Sequence, residues 1–227
     1  FYLSLGRTLL YTVCTLPFRV IIPLLVAVLL CSKRVAGKSL TRTMVYIPVL
    51  MSSLVVGITI NWMFSQEYGL VNFIIRSLGG TALEWSLNPR LATFVIAFAS
   101  VWASIGFNMI LYIGGINSIS NDLYEAATID GASGVQAFFR ITVPMLAPTT
   151  FMVVLLSTVN LLKEYALVQG ITQGGPGLST TFIIQYIFDK GFNQMQYGYA
   201  SAISTVVMII FALIAFAQFK VNNGGET

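Results

Sequence analysis

Five apolar segments, each close to or above the length that spans a bilayer, constrain the fold of this chain more than any other feature. About 20 apolar residues in helical form cross the hydrocarbon core. Because lipid offers no hydrogen-bond partners, the backbone of a spanning segment must satisfy its own polar groups, which favours helices. We therefore expect an all-α polytopic membrane protein, a bundle of transmembrane helices. The predicted spans are 9–30, 44–64, 91–113, 144–168 and 199–219.

Composition supports this class and excludes several functions. Of the 227 residues, 56% are hydrophobic and only 9% are charged, whereas a soluble domain carries about a quarter charged residues. The absence of histidine excludes histidine-based acid–base catalysis and histidine metal sites, and the acidic residues are too scattered for a metal cage. No G-x-x-x-x-G-K-[ST] loop is present to hold ATP phosphates. We expect neither an enzyme nor a cofactor in this chain, and the net charge of +4 needs no nucleic acid to explain it.

The basic residues predict the orientation in the membrane. Residues 33–42 contain Lys33, Arg34, Lys38 and Arg42 and no acidic residue, which indicates a cytoplasmic loop. Alternation then places residues 65–90 and 169–197 outside and the central loop inside. The start of the chain falls outside, so we expect a sixth, N-terminal span to be missing from the given sequence.

The first predicted span is irregular because it contains Pro17, Arg19 and Pro23. Prolines survive in a membrane helix where neighbouring helices satisfy the carbonyls they leave free. A charged side chain near the middle of a span is costly in lipid. Arg19 is therefore expected to face protein or water.

The central loop, about residues 117–143, is predicted to hold two short helices. Asp122 and Glu125 have capping-box spacing, so a helix should begin near Asn121 or Asp122. Gly131 lies where a left-handed C-terminal cap would end it. Ser133 and Gln136 repeat the box spacing and predict a second helix. From these residues alone, two amphipathic helices lying at the membrane interface remain an alternative.

The same loop carries a resemblance to a known family. From Glu125-Ala126-Ala127 through Asp130-Gly131-Ala132 to Pro144, its residue types and spacing resemble the EAA loop of the permeases of binding-protein-dependent ABC importers. In that family this loop is a coupling helix docked in a groove of the ATPase subunit. The resemblance implies a type I ABC importer permease fold. One departure is Ser120, where the family usually has proline; Ser120 or Asn121 is expected to cap the helix instead. The matching positions are Glu125, Ala126, Ala127, Asp130, Gly131, Ala132, Phe138, Ile141 and Pro144, of which the first six are the predicted ATPase-coupling residues.

Further motifs resemble the carbohydrate branch of that family, typified by maltose and glycerol-phosphate systems. Thr172-Gln173-Gly174-Gly175-Pro176 resembles its T-x-G-G-P turn, and residues 198–202 resemble the start of its last span. Residues 70–78 of the first outer loop are predicted to form an interfacial helix ended by Gly79 and Gly80. Trp85 is either an interfacial aromatic anchor or part of the stretch 85–89, which resembles one that sugar permeases of this family carry in the same place. The resemblance extends over nearly the whole chain, so 1–227 is predicted to be one transmembrane permease domain.

Polar residues within two spans are the candidates for solute binding, because such residues in a membrane segment by default mark a pathway or a paired contact. Helical spacing would place Asn160, Lys163 and Glu164 on one face. The resemblance implies that this part of the helix lines a solute cavity. Alternatively, Lys163 and Glu164 lie near the outer surface and reach water, or neutralise each other or a group of a partner chain. The candidates are Phe107, Asn108, Asn160, Lys163, Glu164 and Tyr165.

The expected function follows from the resemblance. It implies the permease subunit of an ATP-driven importer, a multi-pass protein of the bacterial cell membrane that moves a sugar or sugar-like solute by alternating access. The implied partners are a second, related permease chain, an ABC ATPase dimer that binds ATP and Mg, an extracytoplasmic solute-binding protein and membrane lipid. An importer for a phosphodiester, polyamine or peptide is an alternative. An ion-coupled secondary transporter is another, for which Glu164 is the only intramembrane carboxylate.

Overall fold

The structure, a computed structural model, describes residues 1–32 and 37–223, and these residues form helices joined by turns and loops without a β-strand. Lys33 and Arg34, two of the four basic residues behind the predicted orientation, lie outside the described residues. The α-helices are α1 (Tyr2–Cys31), α2 (Lys38–Leu50), α3 (Ser53–Met63), α4 (Leu70–Ser77), α5 (Pro89–Asn117), α6 (Asn121–Ile129), α7 (Gly134–Ala137), α8 (Val143–Met145), α9 (Ala147–Leu162), α10 (Ala166–Ile171), α11 (Ile183–Phe188) and α12 (Tyr197–Asn223). The structure also has two π-helical turns, Phe138–Thr142 and Asp189–Asn193.

Three helices of the described chain, α1, α5 and α12, are long and apolar enough to cross a membrane, and there are five spans if each of two bent pairs counts as one. The first pair is α2 with α3, bent by 100°, and the second is Gly134–Met145 with α9, bent by 67°. The all-α class is therefore confirmed, and three of the five predicted spans are continuous helices.

The other two predicted spans correspond to helices that are broken within the apolar segment. Within 44–64 the helix stops at Leu50, because Met51 and Ser52 adopt extended backbone with ψ of 146° and 133°. Within 144–168 the helix has only 16 residues and ends at Leu162; Lys163 and Tyr165 leave the helical conformation before α10 begins. A helix in a segment that is apolar on average can still be interrupted, since the interruption involves only a few residues.

Helix α1 runs through both of its prolines, as predicted, because a neighbouring helix satisfies a freed carbonyl. Pro23 has no N–H to donate to the carbonyl of Arg19, four residues earlier. The Nδ2 of Asn108 on α5 donates to that carbonyl instead, at 2.9 Å. The side chain of Arg19 is buried, with 6% of its surface exposed.

Packing brings α1 against α5 and α9, and α3 against α10. The contact between α3 and α10 is made by glycines, since a Cβ on Gly57 would lie 3.0 Å from the Cα of Gly170. Helix α5 meets α2 in the same way at Gly106, where a Cβ would lie 2.7 Å from the carbonyl oxygen of Val45. Small residues of this kind allow close approach of helices in a membrane.

The first outer loop folds as predicted in one respect and differently in another. Helix α4 covers Leu70–Ser77 and is followed by Gly79 with φ of +83°, which confirms the predicted short helix. The interfacial anchor predicted at Trp85 is wrong: Trp85 is 8% exposed, and its Nε1 donates to Oδ1 of Asn72 at 3.0 Å. Its ring packs edge-on against Phe64, with 5.0 Å between centroids.

Gly106→Ala is expected to lower the melting temperature of the purified protein, whereas Gly114→Ala on the same helix is not. The added methyl at Gly106 meets the backbone of α2, and such overpacking costs about 1–3 kcal/mol. Nothing lies within 4 Å of a Cβ on Gly114. Thermal unfolding of both variants in detergent measures the difference. Equal melting temperatures would show that α2 and α5 are not in contact at this point.

Candidate functional site

The loop between α5 and α9 contains the first candidate site, the turn formed by α6, Gly131 and α7, called the elbow below. Helix α6 begins at Asn121, as predicted, and Ser120 is its cap: the Ser120 hydroxyl accepts a hydrogen bond from the Asp122 amide at 3.3 Å. The predicted capping box of Asp122 with Glu125 is wrong, because the cap lies two residues earlier. Glu125 is therefore the fifth residue of the helix, beyond the reach of a capping box.

Gly131 gives the elbow a fixed angle. Its φ is +77°, in the left-handed region. The Gly131 amide donates to the carbonyl of Thr128 at 3.1 Å and the Ala132 amide donates to that of Ala127 at 2.8 Å. These two bonds form a Schellman motif, which ends α6 and confirms the predicted left-handed cap.

The start of α7 is also as predicted. The Ser133 amide donates to Oε1 of Gln136 at 2.8 Å, and the Gln136 amide donates to the Ser133 hydroxyl at 3.3 Å, a complete capping box. Both sides of the elbow are thus held by local hydrogen bonds.

The elbow is attached to the bundle through Tyr124. Its hydroxyl lies 2.9 Å from Oγ1 of Thr142, the last residue of the π-helical turn before α8. The ring packs, together with Ile141, on a buried cluster that includes Ile119 and Leu146. Tyr124 therefore connects the elbow to the ends of both α5 and α9.

The outer surface of the elbow is exposed, and no residue of α6 is buried. Among the six predicted coupling residues, Glu125, Ala126, Asp130 and Gly131 are exposed, and Ala127 and Ala132 are half-buried. Glu125 forms no ion pair within the described residues.

Apolar side chains that the sequence analysis did not select stand beside them. Ile129, Val135 and Phe139 are 86%, 68% and 64% exposed. The available signal was the presence of large apolar residues in a loop expected to lie outside the membrane. Exposed apolar side chains beside charged ones are typical of a protein contact surface.

The second candidate site is a polar cluster inside the bundle. A guanidinium nitrogen of Arg19 on α1 donates to the carbonyl oxygen and to the hydroxyl of Ser100 on α5, at 3.0 and 2.7 Å. The same nitrogen lies 3.9 Å from a carboxylate oxygen of Glu164. Both charged side chains are buried, so Arg19 faces protein as predicted. The sequence analysis did not pair the two residues, because they lie on different predicted spans.

Asn108 belongs to the same cluster. Besides the carbonyl of Arg19, its amide nitrogen donates to the hydroxyl of Ser157 on α9, at 3.2 Å. Asn108 is only 3% exposed. Its side chain therefore joins α1, α5 and α9 within the protein.

The six predicted solute-binding residues lie in different surroundings. Asn108 and Glu164 are buried, Phe107 is 42% exposed, Asn160 and Lys163 are exposed, and Tyr165 is half-buried. The prediction that Asn160, Lys163 and Glu164 share one helical face is wrong, because α9 ends at Leu162. In the break after α9, the side chain of Lys163 is exposed, whereas that of Glu164 is buried inside the protein.

Tyr165 begins a row of aromatic rings, called the aromatic row below, that the sequence analysis did not recognise. Its ring centroid lies 5.2 Å from that of Phe188, Phe188 stacks on Phe192 at 4.9 Å, and Phe192 meets Tyr197 edge-on at 6.5 Å. Phe188, Phe192 and Tyr197 are 38%, 61% and 57% exposed. The row is an accessible apolar surface with hydroxyl groups at both ends.

The turn predicted at Gly174-Gly175-Pro176 is confirmed. Gly174 has φ of +92°, and its amide donates to the Thr172 hydroxyl at 3.3 Å. The Thr180 hydroxyl donates to the carbonyl of Gly175 at 2.6 Å. The threonines thus fix the path of the chain from α10 towards α11.

Comparison with known proteins gives a consistent result. Residues 4–223 match the family described as binding-protein-dependent transport system inner membrane component. The chain is 31% identical to the arabinooligosaccharides transport system permease protein AraP of Bacillus subtilis, over 98% of this chain and 72% of that protein. It is 34% identical to the trehalose/maltose transport system permease protein MalF of Thermococcus litoralis, over 86% of this chain and 65% of that protein.

A solved structure has the same fold. A chain of a bacterial ABC transporter involved in the import of the acidic polysaccharide alginate superposes with a TM-score of 0.89 at 24% identity, covering 98% of this chain and 79% of that one.

Removal of one charge from the polar cluster is expected to destabilise the protein. In Glu164→Gln the buried guanidinium of Arg19 loses its countercharge, and breaking a buried pair in this way costs about 3–5 kcal/mol. The melting temperature in detergent should fall by several degrees, and Lys163→Gln, which changes the exposed neighbour, should leave it unchanged. Replacing Arg19 as well, in Arg19→Met/Glu164→Gln, should recover part of the loss. A Glu164→Gln variant as stable as the wild type would show that the pair contributes nothing.

Proposed function

Because the chain belongs to the family of binding-protein-dependent transport system inner membrane components, we propose that it is the permease subunit of an ATP-driven importer for a sugar or sugar-like solute. It is a multi-pass inner membrane protein and a non-catalytic subunit, as permease subunits of this family are. The proposed cycle is alternating access: ATP and Mg bind to separate ATPase subunits, and this chain converts their movement into opening and closing of a solute path.

The solute class is supported by the relatives. Proteins at 30–34% identity are named for transport of arabinooligosaccharides, trehalose and maltose, lactose, and sn-glycerol-3-phosphate. Each of these solutes carries two or more hydroxyl groups. An aromatic surface flanked by polar groups suits such a solute, because the rings cover its C–H faces and the polar groups bind its hydroxyls.

The observation that carries the mechanism is the exposed elbow with its fixed angle and its attachment to α5 and α9. In the proposal an ATPase subunit binds the exposed face of α6, in contact with Glu125, Asp130 and the apolar Ile129. The Schellman motif at Gly131 keeps the elbow stiff, and the bond between Tyr124 and Thr142 passes its displacement to the bundle. One chain supplies one elbow, so an ATPase dimer requires a second, related permease chain.

The proposed solute path is lined by the accessible candidates, Phe107, Asn160, Lys163 and Tyr165, together with the aromatic row. A solute-binding protein outside the membrane delivers the solute to this path. The buried candidates, Asn108 and Glu164, act differently: they hold α1, α5 and α9 in register while the path changes shape. Both walls then move together, because α5 and α9 are joined at the polar cluster and at the elbow.

Gly131→Val is expected to reduce transport strongly while the protein still inserts in the membrane. A residue other than glycine costs about 1–2 kcal/mol in the left-handed conformation, and a β-branched residue more. The control is Gly134→Val in the same elbow, where φ is ordinary and nothing lies within 4 Å of a Cβ. Uptake of labelled oligosaccharide into proteoliposomes that enclose ATP should fall about tenfold or more only in Gly131→Val.

The same assay separates an intersubunit role of Glu125 from a local one. Glu125→Lys reverses the charge and should reduce both uptake and the amount of ATPase that copurifies. Normal uptake by Gly131→Val, or full ATPase binding by Glu125→Lys, would contradict coupling through this elbow.

Tyr165→Ala and Asn160→Ala are expected to weaken solute binding and leave the complex intact. Each loses a hydrogen bond to the solute worth about 1 kcal/mol, which raises the apparent KM for uptake roughly fivefold. Stimulation of ATP hydrolysis by the loaded binding protein should persist. The matched control is Tyr68→Ala, an exposed tyrosine outside the proposed path. If both variants take up solute like the wild type, these side chains do not contact it.

A further inference from the structure

A groove between α1 and α5 is not used by the proposed transport function. Its volume is about 690 Å³, within the range of about 300–1,000 Å³ typical of ligand pockets. Leu10, Cys14 and Phe18 of α1 form one wall, and Phe94 and Phe98 of α5 form the other. Apart from its ends, the groove offers an apolar surface on the outside of the bundle.

Two arginines stand at one end of this groove. Arg7 lies near the start of α1 and Arg90 at the start of α5, and both line the groove. Arg7 donates to the carbonyl of Leu178. Within residues 1–32 and 37–223, neither guanidinium has a carboxylate within 4.0 Å. The positive end of the α5 dipole adds to their potential, so this end of the groove attracts an anion.

The length of the groove corresponds to one leaflet of a bilayer. From Arg7 to Ile22 the axis of α1 rises about 22 Å, and from Arg90 to Val101 that of α5 rises about 16 Å. Half of the hydrocarbon core measures about 15 Å. The arginines therefore lie at the depth of lipid headgroups when the apolar walls lie at the depth of acyl chains.

We propose that this groove binds a phospholipid with an anionic headgroup, its phosphate held by Arg7 and Arg90 and an acyl chain lying between α1 and α5. Guanidinium groups suit this role because they bind phosphate in a bidentate manner. A net negative headgroup balances two positive charges better than a zwitterionic one. A hydrophobic helix in the same groove would leave both arginines without a countercharge. Under the predicted orientation, the lipid belongs to the outer leaflet.

The test uses the assembled importer in nanodiscs that contain equal amounts of phosphatidylglycerol and phosphatidylcholine. One of the two lipids at a time carries a photoreactive group in its acyl chain, and mass spectrometry locates the crosslinks. Crosslinks to the α1 and α5 segments that line the groove should favour phosphatidylglycerol. Each arginine near an anionic lipid contributes about a fivefold preference, so Arg7→Gln and Arg90→Gln should each reduce the preference about fivefold, and the double variant should abolish it.

The control is Arg76→Gln, which removes an exposed arginine on the same predicted side but outside the groove. It should keep the preference for phosphatidylglycerol. Melting temperatures and subunit content establish that all variants are assembled. The proposal is overturned by equal crosslinking of the two lipids, by a preference that survives the double variant, or by the absence of lipid crosslinks from a groove that is instead filled by a protein helix. None of these outcomes bears on the solute or on the ATPase.

Discussion

The arrangement of the spanning helices depends on the buried position of Arg19. Lipid cannot solvate a guanidinium group, so the surrounding helices must provide its hydrogen bonds and its countercharge. Ser100 of α5 and Glu164 after α9 meet these needs, while Asn108 satisfies the carbonyl that Pro23 leaves free. One polar residue and one proline on α1 therefore require partners on α5 and in the region of α9. Apolar side chains around them fill space but do not specify partners in this way, because lipid tails are equally apolar.

The same requirement accounts for the break after α9. A continuous helix would have carried Glu164 in a fixed register with Asn160; instead, Leu162 ends the helix, and the carboxylate turns into the protein towards Arg19. Lys163 remains accessible on the other side. The break thus separates two neighbouring charges: the buried carboxylate of Glu164, which pairs with Arg19, and the exposed ammonium of Lys163.

Local features of the fold could be predicted from the sequence, and long-range features could not. The cap at Gly131 and the box of Ser133 with Gln136 involve residues a few positions apart, so their spacing was sufficient. The cap at Ser120 was harder, because Asp122 offered an equally suitable spacing and only backbone geometry distinguished them. Trp85 and Glu164 were assigned to interfaces or a solute path because their partners, Asn72 and Arg19, lie on other elements. Hydropathy averages over about 20 residues also conceal the breaks at Met51 and Lys163.

Movement of the elbow and the geometry of the polar cluster are linked by α9. Its first turn follows Thr142 and Leu146, where the elbow is attached, and its last turn precedes Glu164. Because a helix of 16 residues is stiff, a tilt at the elbow displaces the distant end as well. The hydrogen bond from Asn108 to Ser157 lies between the two ends and joins α9 to α5. In the proposed mechanism this bond makes α5 and α9 move together when α6 is displaced. Under this proposal, movement crosses the membrane while Arg19 and Glu164 stay inside the protein.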